Sequence, residues 1–206
     1  MADTRTYRSE LRRQRAGLTR SAILGAARRL FADRSYEATS VADIARAAGV
    51  SVPTLYASVG TKAQIALALV PFINDEVGML DLRAARDAAE SPAELIRADV
   101  HLNRVLNEKC GDILLALIGG ARREPELVPA VTAGRHLHRT GQQIVAAGLV
   151  AGGGLRAGLS EADALIALTL MTLPETFAQL VGVEGLSYQQ AEEWLAAALQ
   201  RQLLRR

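Results

Sequence analysis

The chain has 206 residues, half of them hydrophobic and 22% charged, with a net charge of +2 at neutral pH. That length permits one large or two modest domains around a substantial core, and a single cysteine, Cys110, excludes an intramolecular disulfide framework and cannot by itself make a zinc site. Charges interrupt every apolar run before it reaches transmembrane length, and the Arg-rich N-terminus lacks the apolar core of a signal peptide, so the simplest reading is a cytoplasmic protein with no membrane partner.

The charge is unevenly placed. Residues 1–62 hold eleven Lys/Arg against five Asp/Glu, whereas residues 63–206 hold thirteen against seventeen. A basic N-terminal part ahead of an acidic remainder points to a polyanion partner for the first part alone. Scarce proline and abundant alanine and leucine favour an all-α fold.

Residues 1–18 read as a basic N-terminal arm preceding the first regular helix, with Arg12, Arg13 and Arg15 placed to reach phosphates or the minor groove. The first helix is entered through Thr19 or Ser21 and carries the stripe Ile23, Ala26, Ala27, Leu30 and Phe31, followed by Tyr36. Ser40 is the N-cap of a second helix, with Asp43 at the capping-box position and Val41, Ile44, Ala45 and Ala48 on one face. Gly49 stands where a helix ends in a left-handed residue, and Val50 turns inward after it. Ser51 caps a third, short helix in which Pro53 occupies the first turn and Leu55 is the inward anchor. Val52, Pro53, Thr54, Tyr56 and Ser58 are thereby left facing outward, as required of a helix that enters a groove about 12 Å wide. Thr61 with Gln64 opens a fourth helix. Lys62 in its first turn opposes the macrodipole, so an anion such as a phosphate is expected beside it.

Beyond this point the chain reads as helices without a chemical motif. Pro71 is expected to open a long helix to about residue 88, and Ser91-Pro92 another to about residue 109. Gly111 separates the latter from the apolar segment Ile113 to Ile118. A helix from Glu126 to about Val150 ends in Gly152-Gly153-Gly154, expected to be a flexible connection and not a phosphate loop, since no strand precedes it. Ser160 starts a helix that is apolar nearly all round and is therefore expected to be buried on nearly all sides. A last helix runs from about Ser187 to Arg205.

Residues 20–65 resemble the DNA-binding domain of TetR-family transcriptional regulators. The matching residues are Ile23, Ala27, Leu30, Phe31, Tyr36, Ala38, Ser40, Val41, Ile44, Ala45, Gly49, Val50, Ser51, Thr54, Leu55, Tyr56, Lys62 and Ile65, in the family's order and spacing. Three positions depart from the pattern: Ser35 replaces a usual glycine, so a left-handed residue there would carry strain, while Pro53 replaces a small residue and Val59 an aromatic. The resemblance implies an arm at 1–18, a helix-turn-helix domain at 19–66, and an effector-binding and dimerisation domain at 67–206 whose last helices pair with a second copy. It also implies roles at double-stranded DNA. Val52, Pro53 and Thr54 meet bases, Ser40, Ser51, Tyr56 and Lys62 meet backbone phosphates, and Ser58 belongs to the same DNA-binding surface. Two copies are needed because one short helix discriminates too few base pairs to select a pseudo-palindromic operator.

The same resemblance implies an effector pocket between residues 70 and 180. Only Phe72 and Phe177 are aromatic there, so the expected effector is small and largely apolar, with Leu102, Leu106, Leu114, Ile118, Met171 and Phe177 as candidate lining and His101 as a polar group. The expected protein is a dimeric repressor released by that effector and needing no cofactor. The alternative is a DNA-binding regulator controlled by a protein partner. A helical enzyme is remote: His136 and His138 diverge on a helix instead of pairing as i and i+4 ligands would, and nothing brings a general base to Cys110.

Overall fold

A computed structural model describes residues 3–205, with side chains from residue 11 onward. Among these residues the regular structure is helical apart from one isolated bridge, Leu155 with Leu204. The chain forms two compact units, one from residues up to 72 together with 116–131, the other from 73–115 together with residues from 132 onward.

The first unit is built from α1 (Asp3–Arg34), α2 (Val41–Ala47), α3 (Val52–Ser58) and the greater part of α4 (Lys62–Glu76), with the 3-10 turn Pro125–Leu127 beside them. Its core is Ile23, Ala27, Phe31, Tyr36, Ile44, Leu55, Ile65, Leu69 and Leu127, all buried. Each fully buried aliphatic or aromatic side chain contributes roughly 1.5–3 kcal/mol, and the expected periodic stripes supply most of the set. Phe31 and Tyr36 meet with ring centroids 5.0 Å apart, and the Tyr36 hydroxyl donates to Glu126 Oε1 at 2.6 Å. Burial, reinforced by Glu126, holds that phenol well above its ordinary range.

The second unit contains α5 (Met79–Asp87), most of α6 (Pro92–Gly120) and α7 (Val128–Ala151), then α8 (Glu161–Met171), α9 (Pro174–Gly182) and α10 (Tyr188–Leu203). Ile96, Val100, Val145, Leu149, Leu168, Phe177, Leu195 and Leu199 share one core. Capping boxes at Ser160–Asp163 and Ser187–Gln190 start α8 and α10. No single helix among the described residues is long and apolar enough to cross a membrane.

Five expectations are corrected. Residues 3–18 do not precede the first helix: they are its first half, because nothing between Asp3 and Arg34 breaks it. Pro71 lies inside α4 and opens nothing; the break comes at Gly78, whose φ of 71° ends one helix and begins the next. Gly111 does not interrupt α6, which runs unbroken through it with the glycine buried beside Asn107 and the Tyr188 hydroxyl. The glycine triplet is not a loose connection. Gly153 has φ 61°, the Gly154 amide donates to the Leu149 carbonyl, and a Cβ on Gly154 would come within 2.5 Å of Pro92. Finally, α8 buries Ala164, Ala167 and Leu168 but leaves Ile166 and Leu170 more than half exposed in the single chain.

Candidate nucleic-acid interface and an interior polar seam

The corner between α2 and α3 is closed by local chemistry. The Ser40 hydroxyl accepts from the Asp43 amide and donates to its carboxylate, which in turn accepts from the Ser40 amide. Those bonds, with Arg46 nearby, hold the Asp43 carboxyl below its ordinary range. At the other end of α2, Gly49 has φ 69°, its amide donates to the Arg46 carbonyl, and the Val50 amide donates to the Ala45 carbonyl. This is the double bond pattern of a glycine-terminated helix. The chain re-enters helix at Ser51, whose hydroxyl accepts from the Thr54 amide at 3.2 Å and pairs with the Thr54 hydroxyl at 2.7 Å.

A single side chain, Leu55, fastens α3 to the core; it is fully buried. Ser51, Val52, Pro53, Thr54, Tyr56 and Ala57 are exposed, and Ser58 is half-buried. The outward surface is therefore small, hydroxylated and apolar, with one aromatic ring, a composition able to enter a major groove without burying a charge. Arg20 of α1 donates from Nη1 to the Ser58 carbonyl at 3.2 Å, placing a cation at the C-terminus of α3, where the macrodipole favours it. Sequence reasoning passed over Arg20, since nothing local connects it with a residue 38 positions later. Arg12, Arg13 and Arg15 are exposed on the same helix. Arg13, seven residues before Arg20, shares its face.

Lys62 has a partner that its position in the sequence did not reveal. Its Nζ lies 4.0 Å above the Tyr36 ring centroid, so the buried phenol's face offsets the unfavourable helix terminus. The Thr61–Gln64 box is formed as expected, with the Thr61 amide donating to Gln64 Oε1 at 2.7 Å. Ser35 adopts φ 76°, alone in the left-handed region among described non-glycine residues, and Thr39 braces the corner by donating its hydroxyl to the Ser35 carbonyl at 2.8 Å.

The residues expected around an effector fall in different settings. Phe177 is buried in the second unit's core with Met171 against it, Leu102 is buried, and Leu106 and Leu114 are half-buried. Ile118 belongs to the first unit. His101 is partly exposed on Glu192 at 3.1 Å and lines a shallow groove of about 390 Å³ with Leu82, Ala89 and Arg97.

What the structure does bring together in the second unit is polar. Asp99, Asn103 and Asn107 succeed one another at every fourth position of α6, and all are buried, as are Arg86 of α5, Gln142 of α7 and Thr172 after α8. A Cβ on Gly148 would meet Leu95, and Gln142 hydrogen-bonds Asp99, so α6 and α7 run antiparallel; the next turn of each places Asn103 level with His138. His138 Nε2 lies 2.9 Å from the Thr172 hydroxyl. Burial is the main cause that raises Asp99 to about 7, against the attraction of Arg86 and the Gln142 hydrogen bond. Burial likewise lowers His138 to about 4, helped by Arg135 and opposed by Glu175.

A capped helix, a glycine corner and a short helix exposing small residues define a helix-turn-helix DNA-binding protein. Residues 23–69 match the description "Bacterial regulatory proteins, tetR family". The N-terminal unit thus contains a segment similar to the DNA-binding domain of TetR-family transcriptional regulators. Solved structures share the fold over nearly the whole chain. A TetR-family regulator from Rhodococcus sp. is 20% identical, with TM-score 0.73, over 90% of this chain and 98% of its own. NalD, the secondary repressor of the MexAB-OprM multidrug efflux pump in Pseudomonas aeruginosa, is 23% identical over 92% and 98%, with TM-score 0.71. A transcriptional regulator from Saccharomonospora viridis in complex with choline is 19% identical over 91% and 98%, with TM-score 0.72. No curated protein sequence matches the chain.

Proposed function

We propose that the protein is a homodimeric repressor that reads a pseudo-palindromic operator with α3 and is released from it by a small molecule bound in the second unit. The carrying observation is the surface of α3, where one buried leucine leaves Val52, Pro53, Thr54 and Tyr56 exposed. Thr54 and the apolar edges of Val52 and Pro53 suit base contacts, including thymine methyl groups. Ser51, Tyr56, Ser58, Lys62 and the exposed Arg12, Arg13 and Arg15 suit phosphates. Ser40, with its hydroxyl committed to the capping box, holds α2 in place beside them.

Dimerisation is supported by Ile166 and Leu170, exposed four residues apart on α8, and by Trp194, half-exposed on α10. Ligand control is supported by the buried polar seam inside the second unit, where acceptors are left without partners, and by the likeness to a regulator bound to choline. Coupling of about 1–3 kcal/mol between ligand and operator suffices for a regulator, provided the ligand prefers the state that does not bind DNA.

The test is selection from random duplex DNA at physiological salt, where non-specific attraction is weak. Enrichment of an inverted repeat by folded protein is expected, and an unenriched pool would overturn the reading.

A further inference from the structure

We propose that the polar seam of the second unit recognises a small organic cation bearing N–H groups, a protonated primary or secondary amine, with Asp99 as its counter-ion and Gln142 as its second acceptor. This rests on the ligand-sensing reading above and names the chemical class of the effector.

The first argument is charge balance. One guanidinium faces two carboxylates, and it is committed to the outer one: Arg86 Nε and Nη2 both donate to Asp87 Oδ1, at 2.9 and 2.7 Å. Asp99, only 1% exposed, is left facing Arg86 Nη1 at 3.9 Å, beyond hydrogen-bond reach. Its carboxylate accepts from Asn103 Nδ2 at 3.3 Å and from Gln142, but these neutral donors bring no balancing charge, and a buried carboxylate so held carries a large desolvation cost unless a proton or a cation joins it. Burial raises its proton affinity for the same reason.

The second argument is the kind of hydrogen-bonding capacity left over. Gln142, 2% exposed, spends its amide on Asp99, and its Oε1 has no partner. Asn107, also 2% exposed, donates from Nδ2 to the Asn103 carbonyl at 2.8 Å, and its Oδ1 has no partner. The Thr172 hydroxyl already donates to the Leu168 carbonyl at 2.7 Å, so it accepts from His138 Nε2, and the neutral ring presents Nδ1 as an acceptor. The unused groups on Gln142 and Asn107, and with them His138 Nδ1, are thus all hydrogen-bond acceptors. A carboxylate or phosphate would bring more negative charge and more acceptors to this seam, whereas a protonated amine supplies both missing things at once.

The test uses the full-length protein and two matched pairs, benzylamine with benzyl alcohol and n-butylamine with 1-butanol, titrated calorimetrically at millimolar concentration at pH 8, where Asp99 is ionised. The amines should bind the parent at least about tenfold more tightly than the alcohols. Asp99→Asn should abolish that preference. Gln142→Leu, which leaves the carboxylate in place, should weaken the amine while keeping the order amine before alcohol, and this second variant decides the matter if the first fails to fold. Equal affinity of amine and alcohol, an unchanged amine preference in Asp99→Asn, or no amine binding by the parent would each overturn the inference. Operator selection by the parent, run alongside without any amine, reads the regulator assignment separately, so the two can fail independently.

Discussion

Replacing Asp99 by Asn and His138 by Gln should tilt the pH dependence of stability in opposite directions. In the folded chain Asp99 is raised from 3.8 to about 7 and His138 is lowered from 6.5 to about 4. Between pH 4 and 7 the folded state keeps the Asp99 proton that the unfolded chain releases, so raising the pH lowers stability by about 1.4 kcal/mol per pH unit, roughly 4 kcal/mol in all. Between pH 4 and 6.5 the unfolded chain takes up a proton on His138 that the folded state refuses, so raising the pH raises stability at a similar slope, roughly 3 kcal/mol in all. The facing charges are Arg86 at Asp99, and Arg135 and Glu175 at His138. The two slopes nearly cancel in the parent between about pH 4.5 and 6. Asp99→Asn removes the falling slope, so that variant gains stability with pH. His138→Gln keeps a donor for Thr172 but removes the rising slope, so that variant loses stability with pH. Urea unfolding midpoints at constant m-value across this range should separate the variants by nearly 3 kcal/mol per pH unit. Parallel profiles for Asp99→Asn and the parent would refute the account, since Asp99 would then ionise in the folded state as it does in the unfolded chain.

Leu55→Ala should cost about 2–5 kcal/mol, because it empties the sole anchor of α3, and operator affinity should fall with it; a fully stable variant in thermal melts would contradict the anchoring. Ser35→Gly should gain about 0.5–1 kcal/mol, the left-handed strain of about 1–2 kcal/mol less the entropy glycine adds to the unfolded chain. A lowered midpoint would show that the Ser35 hydroxyl matters more than its backbone. Lys62→Ala should weaken operator binding evenly across sequences and reduce the salt slope by about one, whereas Thr54→Ala should relax base preference and leave the slope unchanged. Competition binding against single-base operator variants separates these patterns. Ile166→Asp combined with Leu170→Asp should yield monomers in sedimentation, and persistence of a dimer would move the interface elsewhere.

The helix-turn-helix was legible because its determinants are local. Caps at Ser40, Ser51 and Thr61, the glycine at 49 and the single apolar residue Leu55 all act within five residues of the bonds they specify. The errors lie where a local signal competes with packing. Pro71 reads as a helix start, yet α4 continues through it, with Leu69 and Ile73 buried on either side. Gly111 reads as a break, yet α6 continues through it, because burial in the core outweighs the weak helix propensity of one glycine. The N-terminal arginines read as an arm because they carry neither cap nor apolar stripe, although nothing in the run opposes helix. The polar seam was hidden differently. Asp99, Asn103 and Asn107 drew no reading from the sequence, but they occupy the stripe of Ile96, Val100 and Cys110, where the helical period should bury apolar side chains. That mismatch was present in the sequence. Read with the period, it marks a helix whose inward face is polar on purpose.

The two units treat their buried polar groups differently, and the difference follows the roles proposed for them. In the first, Tyr36 donates to Glu126 and Thr39 to the Ser35 carbonyl, so the frame around α2 and α3 is closed by bonds that leave no donor of these groups seeking a partner. A reading surface gains from such closure, because base contacts discriminate only if the side chains that make them are held in register. In the second unit Gln142 Oε1 and Asn107 Oδ1 remain unmet and Asp99 lacks a hydrogen-bonded cation. Open capacity of this kind lowers the stability of the empty state and returns that stability when an occupant of matching chemistry arrives, so the free energy of the bound state comes partly from relief of the empty one. A ligand that satisfied the seam would therefore favour whichever arrangement of α5, α6 and α7 brings Arg86, Asp99 and Gln142 to it, and its differential affinity for that arrangement is the quantity that could be set against operator binding.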